Sequence, residues 1–242
     1  MNVHVGLCPD RLVVARRKHG WTKNVEGAFH PIATDPVSTL AGLACKEPMT
    51  VVLSSHFVRY CVLPWSKALR SKDDWLAFAQ HSFQTTYGAS AVSGWRIRVC
   101  GRGRSARVAT AVDLALVDAL RALPQVTSIQ PYLMAGFNAR RSTIAGADSW
   151  FVLQENGRLT VALISSGEWR LARTRRVDTD WRAALPALLD REAAALGKGA
   201  FNAVHLCSEA EPPAEATPYR IIDVTLPRFL GKQHRQYAMA LH

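Results

Sequence analysis

Val108-Ala-Thr-Ala-Val-Asp-Leu-Ala-Leu-Val-Asp-Ala-Leu120 decides how this chain is read. Its first half is apolar and β-prone. Asp113 then stands where a helix cap belongs, and Leu116, Val117 and Leu120 recur at helical spacing. Pro124 closes that helix, residues 126–129 read as a short buried strand, and Ile129-Gln-Pro131 leads into a second helix over 132–143. Residues 150–177 follow as three successive strands. Glu155-Asn156-Gly157 and Ser165-Ser166-Gly167 are their turns, because Asn-Gly and Ser-Gly pairs supply the positive φ that tight hairpins need. Strand, helix, short strand, helix and then meander is a serial order, and it sets a boundary near residue 130.

Working outward, residues 3–7 and 11–16 form a hairpin across Cys8-Pro9-Asp10, and residues 26–32 add a third strand. Asp35 and Pro36 cap and open a helix over 37–45 that Pro48 stops. Residues 50–54 and 57–63 read as a second hairpin around Ser55-His56, broken by Pro64. Trp75, Leu76, Phe78, Ala79, Phe83 and Tyr87 make an apolar stripe on a helix over 72–87, ended by Gly88, that should pack on a sheet. Residues 95–100 and 107–111 flank the turn-rich Gly101-Arg-Gly-Arg-Ser105. On the carboxyl side, 180–196 is a long helix that Pro186 kinks or delays, and 201–206 and 219–224 are closing strands. The acidic, Pro-rich loop 208–217 between them reads as exposed, and the tail from Pro227 is basic and weakly patterned. Two meanders with helices, in roughly repeated order, suggest two lobes with a cleft between them.

The composition is that of a chain with a real core: 48% hydrophobic and 20% charged residues over 242 positions. No apolar run reaches the ~18 residues needed to span a bilayer, and residues 1–14 lack a basic leader and an apolar core. The expectation is a soluble cytoplasmic protein. Cys8, Cys45, Cys61, Cys100 and Cys207 contain no C-x-x-C pair and read as reduced thiols. A net charge of +11 calls for a partner: a polyanion, an anionic lipid surface or an acidic protein. The charge is spread over Arg16-Arg17-Lys18, Arg102/Arg104/Arg107, Arg140-Arg141, Arg170/Arg173/Arg175/Arg176 and Arg228/Lys232/Arg235. Arg96 and Arg98, alternating with Trp95, Ile97 and Val99, are the solvated face of a half-buried sheet.

Three places carry a resemblance to a known family: residues 52–64, a strand-turn-strand ending in a proline before a long helix; Val108 to Leu120 with Ile129-Gln-Pro131; and residues 150–177. Together they resemble the actin-like cytoplasmic proteins of type IV pilus assembly and type II secretion, the PilM-like and GspL-like families. The resemblance covers the middle half of the chain directly. It implies an α/β actin-like ATPase (ribonuclease H-like) fold of two lobes, each with a mixed sheet and helices, over residues 1–130 and 131–242.

In actin-like ATPases two glycine-bearing hairpin turns face each other across the cleft, cradling phosphates while carboxylates position hydrated magnesium. Here the first turn is Val5-Gly-Leu-Cys-Pro-Asp-Arg11, where Pro9 removes a donor and only Asp10 offers an acid. The second, Phe151-Val-Leu-Gln-Glu-Asn-Gly-Arg-Leu-Thr160, keeps Glu155, Asn156, Gly157 and Thr160. The resemblance therefore implies a degenerate nucleotide site, a pseudo-ATPase with no cofactor; the alternative is a Mg-ATP-binding protein using those five residues.

Other motifs carry no catalytic or metal site. Gly101-Arg-Gly-Arg-Ser-Ala106 precedes β-prone residues rather than a helix, so no helix terminus would meet a pyrophosphate. Ser54, Ser55 and His56 are adjacent in a turn, where nucleophile and base seldom meet, and the histidines lack ligand spacing. Three functions stand open. One is a non-catalytic scaffold peripheral to the inner face of the cytoplasmic membrane. It would bind an inner-membrane pilus or secretion assembly protein through that protein's amino-terminal cytoplasmic peptide. That peptide would lie between the lobes or along a sheet edge, and Arg170, Arg173, Arg175 and Arg176 would face the partner or anionic lipid. The second is an ATP-binding actin-like protein. The third is a nucleic-acid-binding protein, against which stands the lack of an aromatic platform or helix-turn-helix spacing.

Overall fold

The computed structural model describes residues 3–17, 25–43, 45–144, 146, 148–178, 180–197, 201–212, 218–226 and 230–241. Lys18, Arg228 and residues 213–217 of the acidic loop lie outside the described residues. The chain opens with β1 (Val3–Leu7), β2 (Arg11–Arg17) and β3 (Val25–Pro31), an antiparallel meander as expected. Helix α1 (Pro36–Ala41) begins on Asp35, whose carboxylate accepts from the Ser38 amide at 2.6 Å. It is shorter than the spacing predicts, because the Gly42 amide closes on the Ser38 carbonyl and ends it. Strand β4 (Met49–Leu53) then enters parallel to β1.

The chain next makes an excursion through β5 (Val58–Leu63), α2 (Lys72–Tyr87), α3 (Ala89–Ser93), β6 (Trp95–Cys100) and β7 (Arg107–Asp113). It returns by α4 (Leu114–Arg121) to β8 (Val126–Pro131), parallel to β4. The expected hairpin between β4 and β5 is absent: β4 pairs with β1 and β8, whereas β5 pairs antiparallel with β7 in a separate sheet of order β5-β7-β6. Pattern explains this. β4 is apolar and buried on both faces, which suits the middle of a parallel sheet, while β5 is only half buried. Strand β8 is likewise no buried strand but the half-exposed edge of the first sheet.

The second half repeats the first. After α5 (Tyr132–Ile144) comes an antiparallel meander of β9 (Ser149–Glu155), β10 (Arg158–Ser165) and β11 (Glu168–Arg176), then α6 (Trp181–Ala195). Parallel strands β12 (Ala203–Ser208) and β13 (Arg220–Asp223) follow, and a 3₁₀ helix (Lys232–Leu241) closes the chain. The two five-stranded sheets have equivalent orders, β3-β2-β1-β4-β8 and β11-β10-β9-β12-β13. Each ends in a helix that crosses to the other half: α5 packs on β9, and the 3₁₀ helix packs on β1, β2 and β3. The fit of α5 is close, since a Cβ on Gly136 would come within 3.3 Å of the Phe151 ring. Pro186 lies inside α6 without delaying its start, which Asp180 fixes by accepting from the Ala183 amide at 3.2 Å.

Strand alternation decides where the core sits. Phe151, Leu153, Ala162 and Ile164 join β1, β2, β4 and α5 in one cluster between the halves. Their neighbours Trp150, Val152, Leu159 and Val161 turn outward onto Trp181, Leu185 and Leu189 of α6. Each such burial stabilises by about 1.5–3 kcal/mol. The inserted sheet carries its own smaller cluster. A reciprocal cap starts α2, the Ser71 hydroxyl accepting from the Asp74 amide at 3.0 Å and Asp74 accepting from the Ser71 amide at 2.8 Å. Trp75, Ala79 and Phe83 then pack on Leu63, Ala109 and Ala111, with the Arg107 guanidinium 4.1 Å above the Trp75 ring. Leu76 and Tyr87 of the predicted stripe are 42% and 43% exposed, so the buried face is narrower than the sequence suggests. Trp75→Ala is expected to cost about 3–5 kcal/mol in denaturant titration, and Leu76→Ala no more than about 0.5.

Candidate functional site

In each five-stranded sheet the meander leaves on one side of the first strand and the parallel strands return on the other. The crevice beyond the carboxyl ends of β1/β4 and of β9/β12 is therefore where an α/β sheet holds ligand. The turn after β4 is drawn to β1 by the Ser54 amide, which donates to the Leu7 carbonyl at 3.0 Å. On the other side the Ser208 hydroxyl donates to Gln154 Oε1 at 2.6 Å, tying β12 to β9.

Glu155, at the end of β9, crosses to the opposite turn. Its Oε1 accepts from the Ser54 hydroxyl at 2.5 Å, and its two oxygens accept from the Ser55 amide at 3.2 and 3.1 Å. The Ser54 oxygen in turn accepts from the His56 amide at 3.2 Å, while His56 Nε2 meets the Asn156 carbonyl at 2.9 Å. Ser54, Ser55 and Glu155 are all buried. A buried carboxylate is tolerated because charge-assisted donors replace its water, and here they come from the other half of the molecule. A second cross-link runs beside it, Arg11 to Glu209 at 2.5 Å. Burial pushes the Glu209 carboxyl up and Glu155 adds to this, against the pull of Arg11. Burial likewise pushes the Cys8 thiol up.

The C-terminal 3₁₀ helix fills the rest of the crevice. Met239 lies on β1 where a Cβ on Gly6 would come within 2.8 Å of its sulfur, and Cys8 Sγ is 3.8 Å from that sulfur. Tyr237 covers Gly27 and stacks on Phe29 with ring centres 5.1 Å apart. The helix is fixed to the second half by Arg235, which donates to the Ser208 carbonyl and the Thr225 hydroxyl, both at 3.0 Å, and pairs with Asp223.

What remains is a cavity of about 140 Å³ whose lining includes Asp10, Glu155 and Glu209 against the single guanidinium of Arg11. Small-molecule sites occupy ~300–1,000 Å³, and three carboxylates repel phosphate. The structure brings Asp10, Glu155 and Asn156 together here, and Gly157 takes φ 70° in the adjoining turn. Thr160 sits elsewhere, buried within the second sheet, its hydroxyl 2.9 Å from that of Thr174. Sequence reading missed Ser54 and Ser55 as partners of Glu155, and also Glu209 and Met239. A Ser-Ser pair ending an apolar strand was the one available signal. Of the arginines on β11, Arg170 pairs with Glu168 at 3.2 Å, and Arg173 and Arg175 share Glu192 at 3.1 and 2.8 Å, while Arg176 is exposed.

No family model and no curated protein matches the chain in sequence. Solved structures do match in shape. A Bacteroides thetaiotaomicron protein with an actin-like ATPase fold and unknown function aligns with TM-score 0.61 at 8% identity, over 85% of this chain and 81% of that one. The fold is the actin-like ATPase fold. The cytoplasmic domain of EpsL, an inner-membrane component of the Vibrio cholerae type II secretion system, aligns with TM-score 0.62 at 15% identity, covering 98% of this chain and 92% of that domain. A chain of the PilM-PilN type IV pilus biogenesis complex aligns with TM-score 0.56 at 10% identity, over 86% of this chain and 81% of that one. The expected actin-like architecture, with its paired mixed sheets, is thus found.

Asp223 gives the C-terminal helix a pH dependence. Burial raises its carboxyl, but hydrogen bonds from Thr225 and Arg235 together outweigh this and hold it below 3.8. An acid depressed on folding stabilises fully above its unfolded value, and that contribution is lost as pH falls through the folded one. Amide exchange over residues 232–241 is therefore expected to quicken below pH 3.8. Asp223→Asn should quicken it at neutral pH; unchanged exchange in that variant would show that the Asp223–Arg235 pair does not anchor the helix.

Proposed function

We propose that this protein is a non-catalytic actin-like scaffold of a type IV pilus-like or type II secretion-like assembly, working at the inner face of the cytoplasmic membrane. The carrying observation is the crevice itself. Where an actin-like ATPase holds phosphates, Glu155 joins the two halves through Ser54 and Ser55, and Met239 occupies part of the remaining space. The likeness to the EpsL cytoplasmic domain and to the PilM-PilN complex supports the assembly class. Among the described residues no helix is long and apolar enough to cross a membrane.

With the crevice closed, the partner's amino-terminal cytoplasmic peptide is assigned to a sheet edge. Among the described residues strand β8 pairs only with β4 and so offers an open edge. Beside it a cavity of about 290 Å³, lined by Arg98, Val117, Arg121 and Ile129 among others, separates β8 from the inserted sheet. An extended peptide would take backbone hydrogen bonds from β8 and seat side chains on Val117 and Ile129.

Two measurements test this reading. Isothermal titration with Mg-ATP is expected to show no saturable binding; affinity in the micromolar range would favour the ATP-binding alternative. The amino-terminal peptide of an inner-membrane protein encoded beside this one should bind, and Arg98→Glu should weaken it about tenfold, or leave it unchanged if the β8 edge is not the site.

A further inference from the structure

A further cavity lies away from the crevice and from the β8 edge, where the inserted sheet meets the second half. It holds about 660 Å³ between β5, the end of α2 and β10–β11. Five arginines line it: Arg59, Arg158, Arg170, Arg173 and Arg175. Three are ion-paired, Arg170 with Glu168, and Arg173 and Arg175 sharing the one buried Glu192. Arg59 and Arg158 form no ion pair among the described residues. Arg59 donates only to the carbonyls of His56 and Val58, at 3.2 and 3.4 Å.

Arg158 bears this imbalance most directly. Its Nε is buried without a hydrogen-bond partner, as is that of Arg170. Desolvation lowers its proton affinity, Arg59 and Arg176 lower it further, and Glu155 restores part. Glu155 is already engaged with Ser54 and Ser55 and so cannot turn toward it. Half-buried guanidiniums crowded by like charge form a costly arrangement that an incoming oxyanion relieves, because each planar fork can take two oxygens. The volume falls within the ~300–1,000 Å³ of small-ligand sites.

We propose that this cavity binds a small ligand carrying at least two phosphate or carboxylate groups, held by Arg158 and Arg59 with Arg170 beside them. The site is independent of the scaffold reading: it needs neither the closed crevice nor a peptide at β8. Inorganic tripolyphosphate and citrate are suitable probes, one for each oxyanion chemistry, titrated calorimetrically into the full chain at low salt. One of them is expected to bind saturably at a single site, more weakly as salt rises. Arg158→Gln and Arg59→Gln should each weaken that binding about tenfold or more. Arg96→Gln, at the distant pair with Asp118, should leave it unchanged. Arg158→Gln removes repulsion, so its thermal midpoint should equal or exceed that of the parent, which keeps the loss of binding interpretable. Absence of saturable binding by both probes, or equal weakening by Arg96→Gln, would overturn the proposal.

Discussion

A buried carboxylate shared between two halves of one chain is the constraint on which this structure turns. Glu155 leaves the end of β9 and is solvated by the Ser54 hydroxyl and the Ser55 amide at the end of β4. The turn after β4 still closes on itself, the Phe57 amide donating to the Ser54 carbonyl at 3.0 Å. Beyond that turn β5 belongs to the inserted sheet and lies beside β11. Removing the carboxylate would leave buried donors unpaired, and keeping it requires both halves in register.

The duplicated topology explains why closure is possible. Two equivalent sheets aim their switch points at each other, and each sends its last helix across to the other. In an ATPase of this fold that geometry leaves room for a nucleotide between the turns. Here the space is taken by opposing requirements of charge and volume: Asp10, Glu155 and Glu209 make it acidic, and the 3₁₀ helix brings Met239 onto Gly6. Five arginines instead line a separate cavity where β5 meets β11.

How much of this the sequence disclosed follows from the range of the interactions. The β10–β11 turn was legible because Ser166 and Gly167 adopt φ 54° and 73°, which a Ser-Gly pair announces locally. Helix α2 was legible from its stripe and Gly88, and α4 from Asp113, whose Oδ1 accepts from the Ala115 amide at 2.9 Å. The β4–β5 connection was misread because the strands that claim each of them, β1 and β8 for β4 and β7 for β5, lie far away in the sequence. The 3₁₀ helix was illegible for a related reason: its hold comes from Met239 and Tyr237 filling the room left by Gly6 and Gly27 far back in the sequence. Glu155, Asn156 and Asp10 were singled out as remnants of a phosphate site, and they do converge; what no local pattern could tell was that Glu155 is bound to protein donors.

The central claim is that Glu155 couples the two halves through Ser54. A double-mutant cycle of Ser54→Ala and Glu155→Ala, followed by denaturant unfolding, measures that coupling directly. The account expects a coupling of about 1.5–3 kcal/mol, as for a charge-assisted bond in a buried site. A value within about 0.5 kcal/mol of zero, the additivity of unconnected residues, would contradict it.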